Sequence, residues 1–137
     1  MARARLYAAI RPMVVRRCRA ELAPRVADTV ADAACASILK TLADSTPADP
    51  FLHVLYAATT QLIARSPVSD RRTAPSTCLA ALPQPERDVL ILRLIVGLDT
   101  DDTATALGRT PGEVLLDQHR ALQTLRGALA GAGTETP

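Results

Sequence analysis

Residues 85–125 read PERDVLILRLIVGLDTDDTATALGRTPGEVLLDQHRALQTL, and the helix start and stop signals within them predict three consecutive helices. Pro85 opens the first helix, over residues 86–96, and Gly97 ends it. The second helix is short, because Asp99 caps its amino end and Gly108 already ends it.

The third helix has a complete start signal. Thr110 is its cap, Pro111 takes the first helical position and Glu113 takes the third, which is a capping box. The helix then continues to Leu129, and the small Ala104 stands where the second helix must cross it closely. This spacing indicates a helix-turn-helix, whose last helix presents its amino-terminal half to a DNA major groove. Tri-helical protein-interaction bundles share the spacing, so it leaves both functions open.

The first half of the chain predicts three further helices, at residues 6–22, 26–42 and 50–65, because apolar side chains recur there at helical spacing. Their apolar stripes are Leu6, Ile10, Val14, Cys18 and Leu22; Val30, Ala34, Ile38 and Leu42; and Phe51, Leu55, Ala58 and Leu62. Four arginines lie mostly off the first stripe and form either a solvated face or a contact surface: Arg11, Arg16, Arg17 and Arg19.

A polar stretch between the halves, residues 66–77, shows no helical period and is typical of a linker. Alternation is absent and Ala-rich segments favour helix, so no strand is predicted. We therefore predict an all-α protein with two small helical domains, at residues 1–66 and 79–131. A linker at residues 67–78 joins them, and residues 132–137 form a tail.

The composition narrows the function classes. Apolar residues make up 48% of the chain and charged residues 22%, which is typical of a globular protein. The net charge of +2 does not by itself indicate a nucleic-acid partner, and it divides into +4 for residues 1–66 and −2 for residues 67–137. The chain has only two Tyr, one Phe and no Trp, so few side chains are available for stacking on bases.

Several site types are not expected. No charge-free run is long enough for a membrane span and no secretory core forms, so we expect a cytoplasmic protein without membrane contact. The three cysteines, Cys18, Cys35 and Cys78, lack metal-ligand spacing and are expected to be buried free thiols. No nucleophile elbow, phosphate loop or metal-spaced His pair occurs, which predicts no enzyme activity, catalytic residue, metal or cofactor. The acids at residues 99, 101 and 102 suit a helix start better than a metal site.

The chain also resembles a known family. Residues 82–93 (LPQPERDVLILR), Gly97-Leu98, Ala104, Leu107-Gly108, Val114 and residues 119–122 (HRAL) resemble the carboxy-terminal domain of bacterial sigma-70 factors of the extracytoplasmic-function group, especially actinobacterial ones. In the first half, residues 10–19, 27–31 and 50–56 resemble, in turn, the family's opening helix, its polymerase-binding helix and the segment that leads into its promoter-melting helix.

The resemblance implies a protein that binds core RNA polymerase and directs it to promoter DNA, with the first domain reading the minus-10 element and the second the minus-35 element. The implied polymerase contacts are Asp28, Val30, Ala31 and Asp32. The implied DNA contacts are Arg109, Thr110, Gln118, His119 and Arg120 in the second domain and Tyr56, Gln61 and Arg65 in the first. The resemblance also admits an anti-sigma factor or another sigma-like protein as a partner.

Departures from the family pattern define an alternative. Leu115 and Leu116 stand where the family places a basic residue followed by small or basic ones, and leucines cannot donate hydrogen bonds to phosphate or guanine. Asp117 is expected near the DNA backbone, which would repel it. The alternative is therefore a degenerate sigma-like protein that acts through protein contacts without reading promoters itself.

Overall fold

The computed structural model describes residues 2–44, 48–71 and 82–134, and for residues 131–134 only the backbone. Three helices form the first half: α1 (Ala2–Glu21), α2 (Pro24–Asp44) and α3 (Phe51–Arg65). The second half contains α4 (Gln84–Leu90), which continues as a π-helical segment (Ile91–Val96), then α5 (Thr100–Leu107) and α6 (Pro111–Thr134). The described residues contain no β-strand, which confirms the all-α prediction.

The first half packs its three apolar stripes into one core. Ile10, Val14, Cys18 and Leu22 of the first stripe are almost completely buried, as their spacing predicted. α2 extends the predicted segment by two residues at each end. α3 begins one residue later than predicted and ends where predicted. Cys18 and Cys35 are buried free thiols as expected, whereas Cys78 lies outside the described residues.

The start of the predicted linker lies against the corner between α1 and α2. A short 3-10 helix forms at Val68–Asp70, and Arg71 pairs with Leu22 in an isolated bridge. The Asp70 carbonyl accepts a hydrogen bond from Ala23 N at 2.7 Å, and the Asp70 carboxylate accepts one from Arg25 at 2.6 Å. The structure thus describes the linker only as far as residue 71, where the chain is attached to the first half.

The second half is built on small and β-branched residues. Val89, Ala104 and Val114 form one buried cluster, so the predicted crossing at Ala104 is confirmed. Gly97 (φ 91°) and Gly108 (φ 68°) end their helices in the left-handed conformation, as predicted. Two features differ from prediction: residues 91–96 adopt π-helical hydrogen bonding, and α6 continues to Thr134 where a tail was expected from residue 132. The Ala-rich end supplies helix propensity that offsets its glycines.

The two halves contact each other directly. α1 packs on the π-helical segment, and α3 packs on α5. Arg16 donates to the Val96 carbonyl at 3.2 Å, and His53 Nδ1 donates to the Ala106 carbonyl at 2.9 Å. A small, largely apolar cavity of about 30 Å³ remains between the halves. Its volume is about that of one or two water molecules.

Candidate nucleic-acid and polymerase interfaces

Side-chain caps fix the starts of both helices of the helix-turn-helix, α5 and α6. The Asp99 carboxylate accepts a hydrogen bond from Asp102 N at 2.7 Å, so this acid caps α5 as predicted. Among the described residues, no group of three His, Cys, Asp or Glu side chains converges to hold a metal ion. After Gly108, Arg109 N donates to the Ala104 carbonyl at 2.9 Å, and α6 then begins at Pro111.

The capping box at the start of α6 is complete. Glu113 N donates to Thr110 Oγ1 at 3.2 Å, and Thr110 N donates to Glu113 Oε1 at 3.2 Å. The Thr110 hydroxyl also donates to the Glu113 carboxylate at 3.0 Å. The backbone hydrogen bond from Thr110, followed by that from its hydroxyl, lowers the pKa of the Glu113 carboxyl group. Thr110 is therefore committed to holding the helix start, although it remains exposed.

Asp117 does not face outward, and the expectation that it would be repelled by the DNA backbone is wrong. Its side chain is only 8% exposed and accepts a short hydrogen bond from Arg109 Nη1. Arg109 also contacts the Glu113 carboxylate at 3.5 Å. The helical period decides this orientation, because residue 117 lies three positions after the buried Val114 and shares its face.

The predicted DNA-contact residues of α6 divide into held and free side chains. Gln118 Oε1 accepts a hydrogen bond from Arg93 Nε at 2.9 Å, and Arg93 also donates to the Leu98 carbonyl at 3.2 Å. His119 and Arg120 are exposed. Arg93 was missed by the sequence reasoning, which quoted it only as the end of the motif at residues 82–93. The exposed His119 and Arg120 thus directly follow Gln118, whose side chain is hydrogen-bonded to Arg93 of the π-helical segment.

Two leucines lie on the exposed side of the same helix. Leu115 is 51% exposed and Leu116 is 48% exposed, as the sequence predicted for an outward pair. A single exposed leucine is common on protein surfaces, whereas a larger contiguous apolar patch indicates an interaction site. Leu122 (42% exposed) and Leu129 (64% exposed) extend the apolar surface along α6.

In α3 the predicted DNA contacts differ in accessibility. Gln61 and Arg65 are exposed, whereas Tyr56 is half-buried at the contact between the two halves. Its ring lies 4.1 Å from the guanidinium carbon of Arg17, and burial raises the pKa of Tyr56 to about 12. Asp88 of α4 lies close to Tyr56, and burial followed by the charge of Glu21 raises the pKa of this carboxyl group.

Arg17 is one of the four arginines predicted for a solvated or contact face, and for this residue both interpretations are wrong. It is 5% exposed and donates to Glu21 at 3.0 Å, to the Tyr56 carbonyl at 3.0 Å and to Thr60 Oγ1 at 2.7 Å. Each of the three guanidinium nitrogens thus donates one hydrogen bond inside the protein. No local sequence signal predicts the burial of Arg17, because two of its three acceptors come from α3.

The predicted polymerase-binding residues lie on α2 next to α1. Arg19 donates to both oxygens of Asp28 at 2.9 Å, and these hydrogen bonds lower the pKa of Asp28. Arg11 donates to the Asp32 carboxylate at 3.1 Å. Val30 is half-buried, but Ala31 is 0% exposed, so its methyl group faces the core of the first half. Asp28 and Asp32 therefore lie on an accessible charged face whose acids are already paired within the chain.

The fold and this site define a class: an all-helical protein whose carboxy-terminal part is a helix-turn-helix with α6 as its last helix. Residues 76–125 match the family described as "Sigma-70, region 4". The chain is 33% identical over 159 aligned positions to the "ECF RNA polymerase sigma factor SigD" of Mycobacterium tuberculosis, covering 90% of this chain and 75% of that protein. This chain belongs to the extracytoplasmic-function (ECF) sigma factors of the sigma-70 family.

Two further similarities agree with this assignment. The "ECF RNA polymerase sigma factor ShbA" of Streptomyces griseus is 50% identical over 48 residues, which cover 35% of this chain and 25% of that protein. The solved "Structure of CnrH in complex with the cytosolic domain of CnrY" has the same fold, with a TM-score of 0.72 and 20% identity over 95% of this chain and 88% of that one.

The chain is a sigma factor that directs RNA polymerase to promoters, and its family is not a class of enzymes. The comparisons do not favour the alternative of a degenerate protein without promoter reading. None of the helices in the described part of the chain combines the length and the hydropathy that crossing a bilayer requires.

Proposed function

We propose that the second half reads the minus-35 element with the exposed side of α6, and that His119 and Arg120 supply its main DNA contacts. The observation that carries this proposal is the anchored geometry of the helix. Its start is fixed by the Thr110–Glu113 capping box and its middle by the hydrogen bond from Arg93 to Gln118. A helix that is fixed at its start and at residue 118 presents the next side chains, His119 and Arg120, in a defined direction.

The electrostatics of α6 support this division of roles. The Arg109 guanidinium is shared between Asp117 and Glu113, so these three side chains together carry a net charge of −1. In the first three turns of α6, positive charge that is free to meet phosphate therefore comes from Arg120, with His119 beside it as a hydrogen-bonding group. Arg109 is assigned to the support of the helix start, and Thr110 to its cap.

The first half is assigned to the minus-10 element and to polymerase, with residues 1–66 and 79–131 as the two functional units. Gln61 and Arg65 of α3 are exposed and can reach DNA from the end of that helix. Tyr56 reaches an opened base only when the second half moves away from α3, because the present contact covers its ring. We assign the binding of core polymerase to the face of α2 that carries Asp28, Val30 and Asp32. Ala31 supports this face from the hydrophobic core of the first half.

A protein partner that controls access to these surfaces is a further part of the proposal. The support is the structural neighbour CnrH, which is in complex with the cytosolic domain of CnrY. An anti-sigma factor of this kind would have to engage the chain before it meets polymerase. Since transcription initiation takes place in the bacterial cytoplasm, the proposed function places the chain there.

A DNA-binding titration tests the assignment of α6. Purified chain is titrated against duplex promoter DNA at several salt concentrations, and the double variant His119→Ala, Arg120→Ala is compared with Lys40→Ala, an exposed cation on α2. We expect the double variant to weaken binding by about tenfold and to flatten the salt slope by about one, with no change for Lys40→Ala. Equal binding by both variants would remove α6 from the DNA interface.

A further inference from the structure

The contact between the two halves has side-chain donors on one side and helix ends on the other. Arg16 of α1 donates to the Val96 carbonyl at 3.2 Å, and His53 of α3 donates to the Ala106 carbonyl at 2.9 Å. Both carbonyls lie in the last turn of a helical segment, where carbonyl groups lack a partner within the helix. The first half therefore closes two helix ends of the second half.

The same contact contains a cluster of ionisable groups around Asp88 of α4. The Tyr56 hydroxyl of α3 donates a hydrogen bond to the Asp88 carboxylate. On the side of α1, Arg17 and Glu21 form an ion pair at 3.0 Å, with side chains only 7% and 16% exposed. On α4 itself, Gln84 Nε2 donates to Asp88 Oδ1 at 3.3 Å. The groups that act on Asp88 thus come from α1, α3 and α4.

The charges of this cluster do not balance when Asp88 is ionised. Arg17 and Glu21 neutralise each other, so the Asp88 carboxylate adds an unpaired negative charge to a contact that is largely closed to water. Burial, followed by the charge of Glu21, raises the pKa of the Asp88 carboxyl group. The charge of Arg17 and the hydrogen bonds from Tyr56 and Gln84 oppose this increase without cancelling it.

Separation of the halves would return Asp88 to water, and its pKa would fall towards the ordinary aspartate value. The closed arrangement therefore binds a proton more tightly than an open one. By linkage, protonation of Asp88 favours contact between the halves, and ionisation favours their separation.

We propose that Asp88, Glu21, Arg17 and Tyr56 form a proton-sensitive latch that closes the second half over α3. With Asp88 protonated, the halves stay together and the Tyr56 ring is covered. With Asp88 ionised, the balance shifts towards separated halves and an accessible ring. The consequence for transcription rests on the proposed reading of the minus-10 element by the first half, whereas the latch itself does not depend on DNA.

The composition of the chain provides a reporter for the latch. Tyr7 and Tyr56 are its only tyrosines, and it contains no tryptophan. In the full chain carrying Tyr7→Phe, tyrosine emission therefore comes from Tyr56, and quenching by acrylamide measures access to its ring. Quenching is measured from about pH 4.5 to about pH 8. Small-angle X-ray scattering follows the radius of gyration over the same interval, and far-UV circular dichroism checks that the helices are retained.

We expect quenching of Tyr56 to increase as pH rises, with a midpoint above the ordinary aspartate pKa. The radius of gyration rises with it from about 14 Å, the value for a compact chain of this length. Asp88→Asn removes the charge but keeps an oxygen that accepts from Tyr56, so quenching stays low at every pH. Glu21→Gln lowers the midpoint, because the charge that opposes ionisation of Asp88 is gone. Asp101→Asn, at an exposed position on α5, is the matched control and keeps the full pH dependence.

Four results would overturn the proposal. Quenching that is independent of pH, or that increases on acidification, contradicts the sign of the linkage. A pH dependence that persists in Asp88→Asn would assign it to another group at the contact, of which His53 is the nearest candidate by position. A change in quenching at constant radius of gyration would mean that the halves do not separate. Neither DNA nor polymerase is present, so failure of the latch is separate from failure of the proposed function.

Discussion

Arg109 donates a hydrogen bond from Nη1 to the carboxylate of Asp117, two turns further along α6, and this contact keeps an acid of the recognition helix inside the protein. If the Asp117 carboxylate faced outward, DNA phosphates would repel it. Turned inward, it neutralises the arginine that precedes the helix and connects the helix start to the helix body. The acidic surplus of residues 67–137 is therefore less exposed to DNA than the sequence alone indicates.

The Asp117 contact gives a stability prediction. Asp117→Asn leaves the Arg109 guanidinium without its buried partner, and we expect the free energy of unfolding to fall by about 1–3 kcal/mol. Urea denaturation followed by circular dichroism measures it. Asp49→Asn, at an exposed position before α3, is the control and should change stability by less than about 0.5 kcal/mol. An equal effect of both substitutions would show that the Arg109–Asp117 contact contributes nothing.

Leu115 gives a prediction about DNA affinity. Leu115→Arg places a cation on the exposed side of α6 at a side chain that is now 51% exposed. We expect tighter general DNA binding, with the slope of log affinity against log salt steeper by about 0.9. Val68→Arg adds the same charge at the start of the linker, at a side chain that is 70% exposed, and serves as the control. If both variants gain affinity equally, the gain reflects net charge and not the position of α6.

The capping box gives a prediction with a defined pH dependence. The folded-state pKa of Glu113 is lowered, so its contribution to stability is complete above the usual glutamate value and is lost as pH falls through the folded-state pKa. Thr110→Ala removes the hydrogen bond that the hydroxyl donates to the Glu113 carboxylate, which raises the Glu113 pKa towards its usual value. It also removes the hydroxyl oxygen that accepts from Glu113 N, and the lost cap costs about 1 kcal/mol. An NMR titration of the Glu113 carboxyl carbon measures the pKa.

The control for the capping box is Thr124→Ala, an exposed threonine in the middle of α6. Its hydroxyl donates only to the Arg120 carbonyl one turn earlier, at 3.0 Å. We expect little change in stability and none in the Glu113 titration. A Glu113 pKa that stays unchanged in Thr110→Ala would contradict a contribution of the Thr110 hydroxyl, because the backbone hydrogen bond from residue 110 is kept in this variant.

Arg17 gives a prediction about the packing of α1 on α3. Arg17→Met keeps the aliphatic stem but removes the hydrogen bonds that Arg17 donates to Glu21, to the Tyr56 carbonyl and to the Thr60 hydroxyl, and it leaves the Glu21 carboxylate without its partner. We expect a loss of about 2–4 kcal/mol. Arg19→Met on the same helix is the matched control. Arg19 pairs with Asp28 where both side chains are about half exposed (60% and 48%), so its loss should cost less than about 1 kcal/mol. Similar losses in chemical denaturation would mean that the burial of Arg17 is energetically unimportant.

Tyr56 gives a prediction at alkaline pH. Burial raises the folded-state pKa of Tyr56 to about 12. The stability that the neutral phenol contributes is therefore complete below the ordinary tyrosine pKa, and it is lost as pH rises from that value through the folded-state pKa. Tyr56→Phe removes the ionisable group and should flatten the decline of the melting temperature in this range. Ultraviolet titration of the phenolate checks the assignment, and a Tyr56 transition at the ordinary value would contradict its burial.

The features that follow local rules were predictable from the sequence. Gly97 and Gly108 end helices because their backbones need positive φ, and Thr110 with Glu113 marks a helix start through contacts three residues apart. The apolar stripe of α1 follows from its four-residue spacing. In each case the residues that decide the structure lie within one or two turns of each other.

The features that depend on distant partners were not predictable. Arg17 is indistinguishable in sequence from Arg16 and Arg19, and only the acceptors on α3 make it a buried residue. The hydrogen bond from Arg93 to Gln118 joins residues 25 positions apart. The π-helical segment likewise has no local signature, since residues 91–96 are ordinary aliphatic helix formers around Arg93. Tertiary packing decides these contacts, and a family resemblance gives only their approximate location.

The most direct test of the central claim is transcription in vitro with purified core RNA polymerase, a pool of promoter fragments and this chain. We predict transcripts that start at defined promoters only when the chain is present, and that decrease by about tenfold with His119→Ala, Arg120→Ala but not with Lys40→Ala. The contradicting result is a stable complex of the chain with core polymerase, insensitive to salt, that yields no promoter-specific transcript.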